Sequence, residues 1–164
     1  MTKSQKLKGF TLVELLVIVG ILIILAAITI PNLRFFQKES DLNNAAEEII
    51  NTLRLAQNKT LASEEASQWG VYFTTSTVPH QYILFKGKDF DARATSSDKI
   101  HKLPKAVEIY ELNLGDEATS SVVFERITGS VLATTTQSIS LRLKIDPLKI
   151  RTIYIERIGQ VRLE

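Results

Sequence analysis

One carboxylate, Glu14, stands inside the otherwise apolar run Phe10 to Ile30 of "KLKGFTLVELLVIVGILIILAAITIPNL". An acid at the centre of a membrane helix costs about 2.5–3.5 kcal/mol on insertion scales, so a carboxylate in such a run is there for a purpose or lies near a boundary. Glu14 is about 6 Å along a helix from Phe10, near enough to an end for the carboxylate to reach toward the interface, and that is the simpler of its two readings. The other residues capable of chemistry are sparse. His80 and His101 stand alone in polar stretches, with no paired ligand at metal-binding spacing. Asp89, Asp91 and Asp98 in "GKDFDARATSSDKI" offer oxygens to a hard cation, but their spacing fits no defined calcium loop, and a solvated connection is expected there. Neither a G-x-S-x-G elbow nor a Gly-rich phosphate loop occurs. We therefore expect no enzyme, no cofactor and no metal centre. The absence of cysteine excludes disulfides, thiol chemistry and Cys-based zinc. One charge cluster remains, with Arg142, Lys144, Lys149, Arg151, Arg157 and Arg162 against Asp146 and Glu156, a local excess of four positive charges. Arg142, Lys144, Arg151 and Arg162 are the candidates for contact with phosphates. No series of stacking aromatics interleaves them, and solvation of an outer strand face is the plainer reading.

These groups must be carried by elements, and the elements are legible. At 164 residues the chain has room for one domain and an additional segment. Phe10 to Ile30 is 21 residues, roughly 31 Å as a helix, which matches a hydrocarbon core of about 30 Å. A cleaved secretory signal usually has a shorter apolar region and a small-residue site, and "LAAITIPNLRFF" lacks the latter, so a retained single-pass anchor is expected. Lys3, Lys6 and Lys8 precede it without an acid, whereas Arg34 and Lys38 beyond it are offset by Glu39 and Asp41. That asymmetry places the N-terminus on the cytoplasmic side and the remainder outside. Pro31 lacks the N–H that would bond Ala27, so a kink or local melting is expected if the helix continues, and a helix stop otherwise.

Beyond Pro31, Leu42, Ala45, Ala46, Ile49, Leu53 and Ala56 recur at three- and four-residue spacing, predicting an amphipathic helix over 32–67. From Trp69 the period becomes two. The segments "WGVYFTT", "QYILFKG", "KAVEIYEL", "SVVFERI", "ISLRLKI", "RTIYIER" and "QVRL" read as strands, with Ile139, Leu141, Leu143 and Ile145 on one buried face and a tight hairpin at Gly159. The expected fold is α+β: a long N-terminal helix packed on an antiparallel β-sheet head over 68–164.

The string "KGFTLVELLVIVGILIILAAITIP" resembles the class III signal of type IV pilins and pseudopilins: a basic leader, then Gly, Phe, Thr, Leu, any residue, Glu and an apolar helix. The resemblance implies a leader over 1–9, a filament-core and membrane helix over 10–31, cleavage by a prepilin peptidase between Gly9 and Phe10, and methylation of the new N-terminal Phe10. It also implies assembly with other pilin or pseudopilin subunits on an inner-membrane platform, first in the cytoplasmic membrane and then in a filament in the periplasm or at the cell surface. Cleavage after Gly9 gives the second reading of Glu14. The new α-amino group of Phe10 is a cation at the membrane edge, and a carboxylate on the neighbouring protomer pairs with it at one helix offset only, because other offsets leave both charges bare. Cleavage also removes three lysines from the 20 basic residues, leaving 17 against 18 acids. Further on, "LRLAQNKTLAS", "VVFERITGSV" and "IYIERIGQV", with Phe124, Gly129 and Gly159, resemble H-type minor pseudopilins of type II secretion and the related FimT-like minor pilins. That resemblance adds DNA uptake as an alternative function for the basic C-terminal strands. Many of those relatives carry cysteines in the head, which this chain lacks.

Overall fold

The computed structural model describes residues 9–115, 120–131, 133 and 135–164, and within its helix the side chains of residues 30–34 are left aside. Eight of the nine leader positions therefore lie outside the described residues, as does the side chain of Pro31, on which the expected kink turns. The helix α1 (Leu12–Leu61) is assigned without a break through position 31, so a helix stop at that proline is not what the chain adopts. The chain divides into two compact units, one ending at Gln37 and the other spanning Lys38–Glu164.

In the first unit, Leu12–Thr29 is long and apolar enough to cross a membrane, and none of it is buried. In the second unit the helix carries the expected stripe. Leu42, Ala45, Ala46, Ile49, Leu53 and Ala56 are all at most 1% exposed, and they form one core with the strands. The alanines allow close approach of the sheets, and the leucines and isoleucines supply the bulk. Helix α1 ends at Leu61, short of the anticipated Ser67. The chain turns at Ser63 in a left-handed conformation and continues through a short 3-10 turn, Glu64–Ala66. Thr60 helps to fix that exit, since its hydroxyl accepts the Trp69 N–H at 2.9 Å.

Eight strands follow: β1 (Trp69–Thr74), β2 (Gln81–Lys86), β3 (Lys99–Lys102), β4 (Val107–Asn113), β5 (Ser121–Val123), β6 (Gln137–Leu143), β7 (Ile150–Ile155) and β8 (Val161–Leu163). They form two antiparallel four-stranded sheets, ordered β3-β2-β1-β5 and β4-β6-β7-β8. Seven of the strands were anticipated. The eighth, β3, lies in the stretch read as a solvated connection, and His101 belongs to it rather than to a loop. The preceding segment is also better anchored than polarity suggested. Phe90 stacks on Tyr72 with centroids 3.6 Å apart, meets Phe85 edge-on, and lies beneath the Arg93 guanidinium. Arg93 in turn bonds Asp98 at 2.8 Å. Phe90 thus folds this segment back over the β1–β2 face turned away from the core.

In β6 the inward face is Ile139, Leu141 and Leu143, all buried. Ile145 does not extend it, because the strand stops at Leu143 and Ile145 is exposed in the following turn. At Gly159 the chain turns from β7 into β8, closed by the Gly159 N–H donating to the Glu156 carbonyl at 2.8 Å. Its φ of +84° favours glycine, and a Cβ there would lie 2.1 Å from the Gly129 carbonyl oxygen.

Candidate assembly site and basic sheet face

At the N-terminal end, Gly9, Phe10 and Thr11 precede the helix and Glu14 sits in its first turn. Phe10 is exposed, and an added Cβ at Gly9 meets nothing within 4 Å. The Thr11 hydroxyl accepts the Glu14 backbone N–H at 3.2 Å, capping one of the helix's orphan donors. Thr11 was overlooked as a functional residue, although "TLVE" has the capping-box spacing, with an acid three residues after the cap. The cap defines where the helix begins and so sets the height of Glu14 relative to Phe10. The carboxylate also lies at the positive end of the helix dipole. An anion in the first turn, three residues after the cap and four after Phe10, can hold a nearby cation.

The second candidate lies on the sheet β4-β6-β7-β8, and the strand register sorts its residues. Arg142 is directly opposite Ile150, and Tyr154 is opposite Arg162, so these share the outer face. Arg151 is opposite the fully buried Leu141 and therefore belongs to the face toward α1, where its Nε donates to Asn43 Oδ1 at 2.8 Å. Lys144 lies past the end of β6. The four candidates for phosphate contact thus do not form one face; only Arg142 and Arg162 share it. Each is also engaged. Arg142 Nε donates to Glu108 at 2.7 Å, and Arg162 lies 3.6 Å from a Glu156 carboxylate oxygen.

The same face supplies what the sequence did not reveal. The Arg142 guanidinium lies 4.3 Å over the Tyr110 ring and that of Arg162 5.6 Å over Tyr154. Ser140 and Thr152 hydroxyls meet between them at 3.3 Å. Two arginine–tyrosine stacks on one sheet are a surface for flat or anionic groups. Tyr110 was hidden because a bulge between Ile109 and Glu111 shifts it out of the strand's alternation.

The histidines are structural. The His80 Nδ1 accepts the Ile109 N–H at 3.0 Å, tying the approach to β2 to strand β4. Burial lowers its pKa, with the Lys144 ammonium adding to that effect and the Glu108 carboxylate opposing it. His101 stacks on Tyr82 and meets Glu48 at 3.2 Å. Asp98 faces Arg93 rather than Asp89 or Asp91, and among the described residues no group of three metal-ligating side chains converges.

No family model matches the sequence, and no curated protein matches it significantly. Solved structures do match. The chain is similar to the minor pseudopilin EpsH from the type 2 secretion system of Vibrio cholerae, with a TM-score of 0.56 at 16% identity over 76% of this chain and 96% of that one. It is similar to the type IV minor pilin FimU of Pseudomonas aeruginosa in two crystal forms. One gives a TM-score of 0.58 at 15% identity over 79% of this chain and 92% of that one. The other gives 0.53 at 15% identity over 75% and 92%. The fold is that of type IV pilins and pseudopilins, an α+β arrangement of a helix on antiparallel sheets.

Proposed function

We propose that this chain is a structural subunit, a minor pseudopilin or minor pilin, of a type II secretion pseudopilus or a type IV pilus-like filament. The observation that carries the reading is the joint presence of the pilin fold and of Glu14 in the first turn of an exposed, membrane-length apolar helix directly after Gly9–Phe10. In this reading the chain enters the cytoplasmic membrane with its N-terminus inside and its head outside. Prepilin peptidase cuts after Gly9 and methylates Phe10. The inner-membrane assembly platform then draws the helix into a filament, where Glu14 of one subunit pairs with the Phe10 amine of its neighbour. Domain 10–31 serves as anchor and filament core, 32–67 carries the amphipathic stripe, and 68–164 forms the outward head. Catalysis has no part in this.

Intact-mass measurement and N-terminal peptide mapping of the chain from its native membrane test the proposal. A mature chain beginning with methylated Phe10 supports it. A chain still beginning near Met1, in cells with an active peptidase, overturns the assigned processing and makes the protein an ordinary bitopic one.

A second reading, DNA binding for uptake, is favoured by the two arginine–tyrosine stacks on the outer sheet face. Glu108 and Glu156 neutralise much of the charge there, which ranks it second. If it holds, binding of single-stranded DNA falls steeply with salt, and Tyr110→Ala and Tyr154→Ala each weaken it several-fold, since a stacked base contributes about 1–3 kcal/mol. Binding unchanged by both substitutions excludes this face.

A further inference from the structure

Contacts within the unit Lys38–Glu164 fix the direction of its elements. Where α1 enters the unit, Glu39 meets Lys149 at 3.1 Å and Asn43 meets Arg151. Where α1 finishes, Arg54 donates to the Val161 carbonyl at 3.2 Å and Gln57 to the Gly129 carbonyl at 2.9 Å. Helix α1 and β7 therefore run the same way, and β6, antiparallel to β7, runs back toward the helix entry. Strand β4 is antiparallel to β6 and so starts at that end. Strand β1 begins beside Thr60 and runs away from it, so β2 starts at the entry end and β3 finishes there. Three turns thus share the entry end: residues 75–80, 103–106 and 144–149.

Their charge is one-sided. Residues 102–106 and 144–149 carry Lys102, Lys105, Lys144 and Lys149 against Asp146 alone, and 75–80 holds no charged residue besides His80. The Lys144 N–H donates to the Ala106 carbonyl at 3.0 Å, which puts two of these turns side by side. The Lys144 ammonium also acts on the His80 ring, which brings in the third. Lys102, Lys105 and Lys144 are exposed and have no ion pair among the described residues, whereas Lys149 is held by Glu39. Asp146 is half-buried and spends one carboxylate oxygen on the Leu148 N–H at 3.3 Å. Lys38 and Asp41 at the start of the unit cancel. Where α1 exits, the balance reverses, with Glu64 and Glu65 in the turn and three aspartates against Lys88 and Arg93 over 87–98. The lysine-bearing turns also present Val78, Ile145 and Leu148 to solvent. Ammonium groups beside aliphatic tips suit one kind of surface, an anionic bilayer, where the lysines reach phosphates and the tips enter the acyl boundary. The chain itself keeps such a surface close. Seven residues, 31–37, join the entry end to the apolar run 10–30, a tether of at most about 25 Å even when fully extended.

We propose that the entry end of the head binds the anionic phospholipid headgroups of the membrane that holds its anchor. Lys102, Lys105 and Lys144 meet the phosphates, and Val78, Ile145 and Leu148 enter the interface. The proposal rests on the membrane-anchored subunit reading and adds to it a docked state of the head before assembly.

The chain has no cysteine, so a single introduced thiol carries the only probe. Full-length chain is reconstituted into vesicles of phosphatidylcholine alone or mixed with phosphatidylglycerol, diluted so that most vesicles hold one copy. A fluorophore on Leu148→Cys should be quenched by brominated acyl chains in the mixed vesicles, and released into water by high salt or in phosphatidylcholine alone. The same fluorophore on Ile158→Cys, in the β7–β8 turn at the other end, should remain in water throughout. A Leu148→Cys probe that stays in water, equal quenching at both ends, or quenching that needs no anionic lipid overturns the contact. Shielding seen only when vesicles hold several copies also overturns it, in favour of a protein partner. Each lysine near an anionic surface changes binding about fivefold, so Lys105→Gln with Lys144→Gln should weaken docking about twenty-five-fold; unchanged quenching counts against the proposal. Protection of the apolar run from added protease reports insertion by itself, so a chain that fails to insert is told apart from an inserted chain whose head stays off the surface.

Discussion

At the scale of single residues, the proposed role of the Glu14 charge is separable from that of the backbone around it. Thr11 caps the helix through the Glu14 N–H, which any side chain at position 14 preserves. Glu14→Ala should therefore leave the helix and its cleavage after Gly9 nearly intact while lowering incorporation into filaments several-fold. Normal incorporation, measured in the sheared fraction, would falsify the pairing with the Phe10 amine. Thr11→Val should do something different, loosening the helix start at a cost of about 1 kcal/mol. His80 gives a prediction of opposite character. Its Nδ1 must be unprotonated to accept the Ile109 N–H, and its pKa is lowered by burial. The unfolded chain takes up this proton near pH 6.5, before the folded chain does. The contribution of His80 is thus whole above about pH 6.5 and is lost as pH falls through the lower folded value. Urea unfolding from pH 7.5 to 5 should show the wild-type head losing stability faster than His80→Gln, whose amide oxygen accepts at any of these pH values.

At the scale of elements, the two turns at Gly129 and Gly159 are one joint. The missing Cβ of Gly159 leaves room for the Gly129 carbonyl, which also receives the Gln57 amide. Gly159→Ala combines a disfavoured φ with a collision against backbone and should destabilise the head by about 2–4 kcal/mol. Gln57→Ala should cost less, about 1 kcal/mol for one hydrogen bond. A thermal melt of each variant checks the order. Read from the sequence, the helix stripe and seven strands were plain because their periods of 3.6 and 2 are carried by long aliphatic runs. The grouping into two sheets was not, since pairing depends on contacts far apart in sequence. Strand β3 was missed because Lys99 and Lys102 at a sheet edge look like loop residues. The same limit hid the chemistry of the head. Arg142 and Arg151 stand nine positions apart without any sign that register sends one outward and the other toward α1, whereas Gly9, Phe10 and Glu14 lie within one short stretch and could be proposed from sequence alone.

At the scale of the whole molecule, the helix that would anchor the chain is made first and covered last. The partners that hold its second half come from far along the chain: Lys149 for Glu39 across 110 positions, Arg151 for Asn43 across 108, and Val161 for Arg54 across 107. Such long loops must close before any of these contacts form, which slows folding relative to local structure. Deleting residues 150–164 should therefore leave a chain that inserts as well as the intact one but is cleared by membrane proteases, and equal steady-state amounts of the two would contradict this. On the proposed reading, a subunit emerging from the membrane would thus bear its own certificate of completion. Until β7 and β8 are seated, the core around Leu42, Ile49 and Leu53 lacks Ile153, Ile155 and Val161 and is incompletely closed to a quality-control protease. On that reading an unfinished copy would be marked for disposal before it could join a filament.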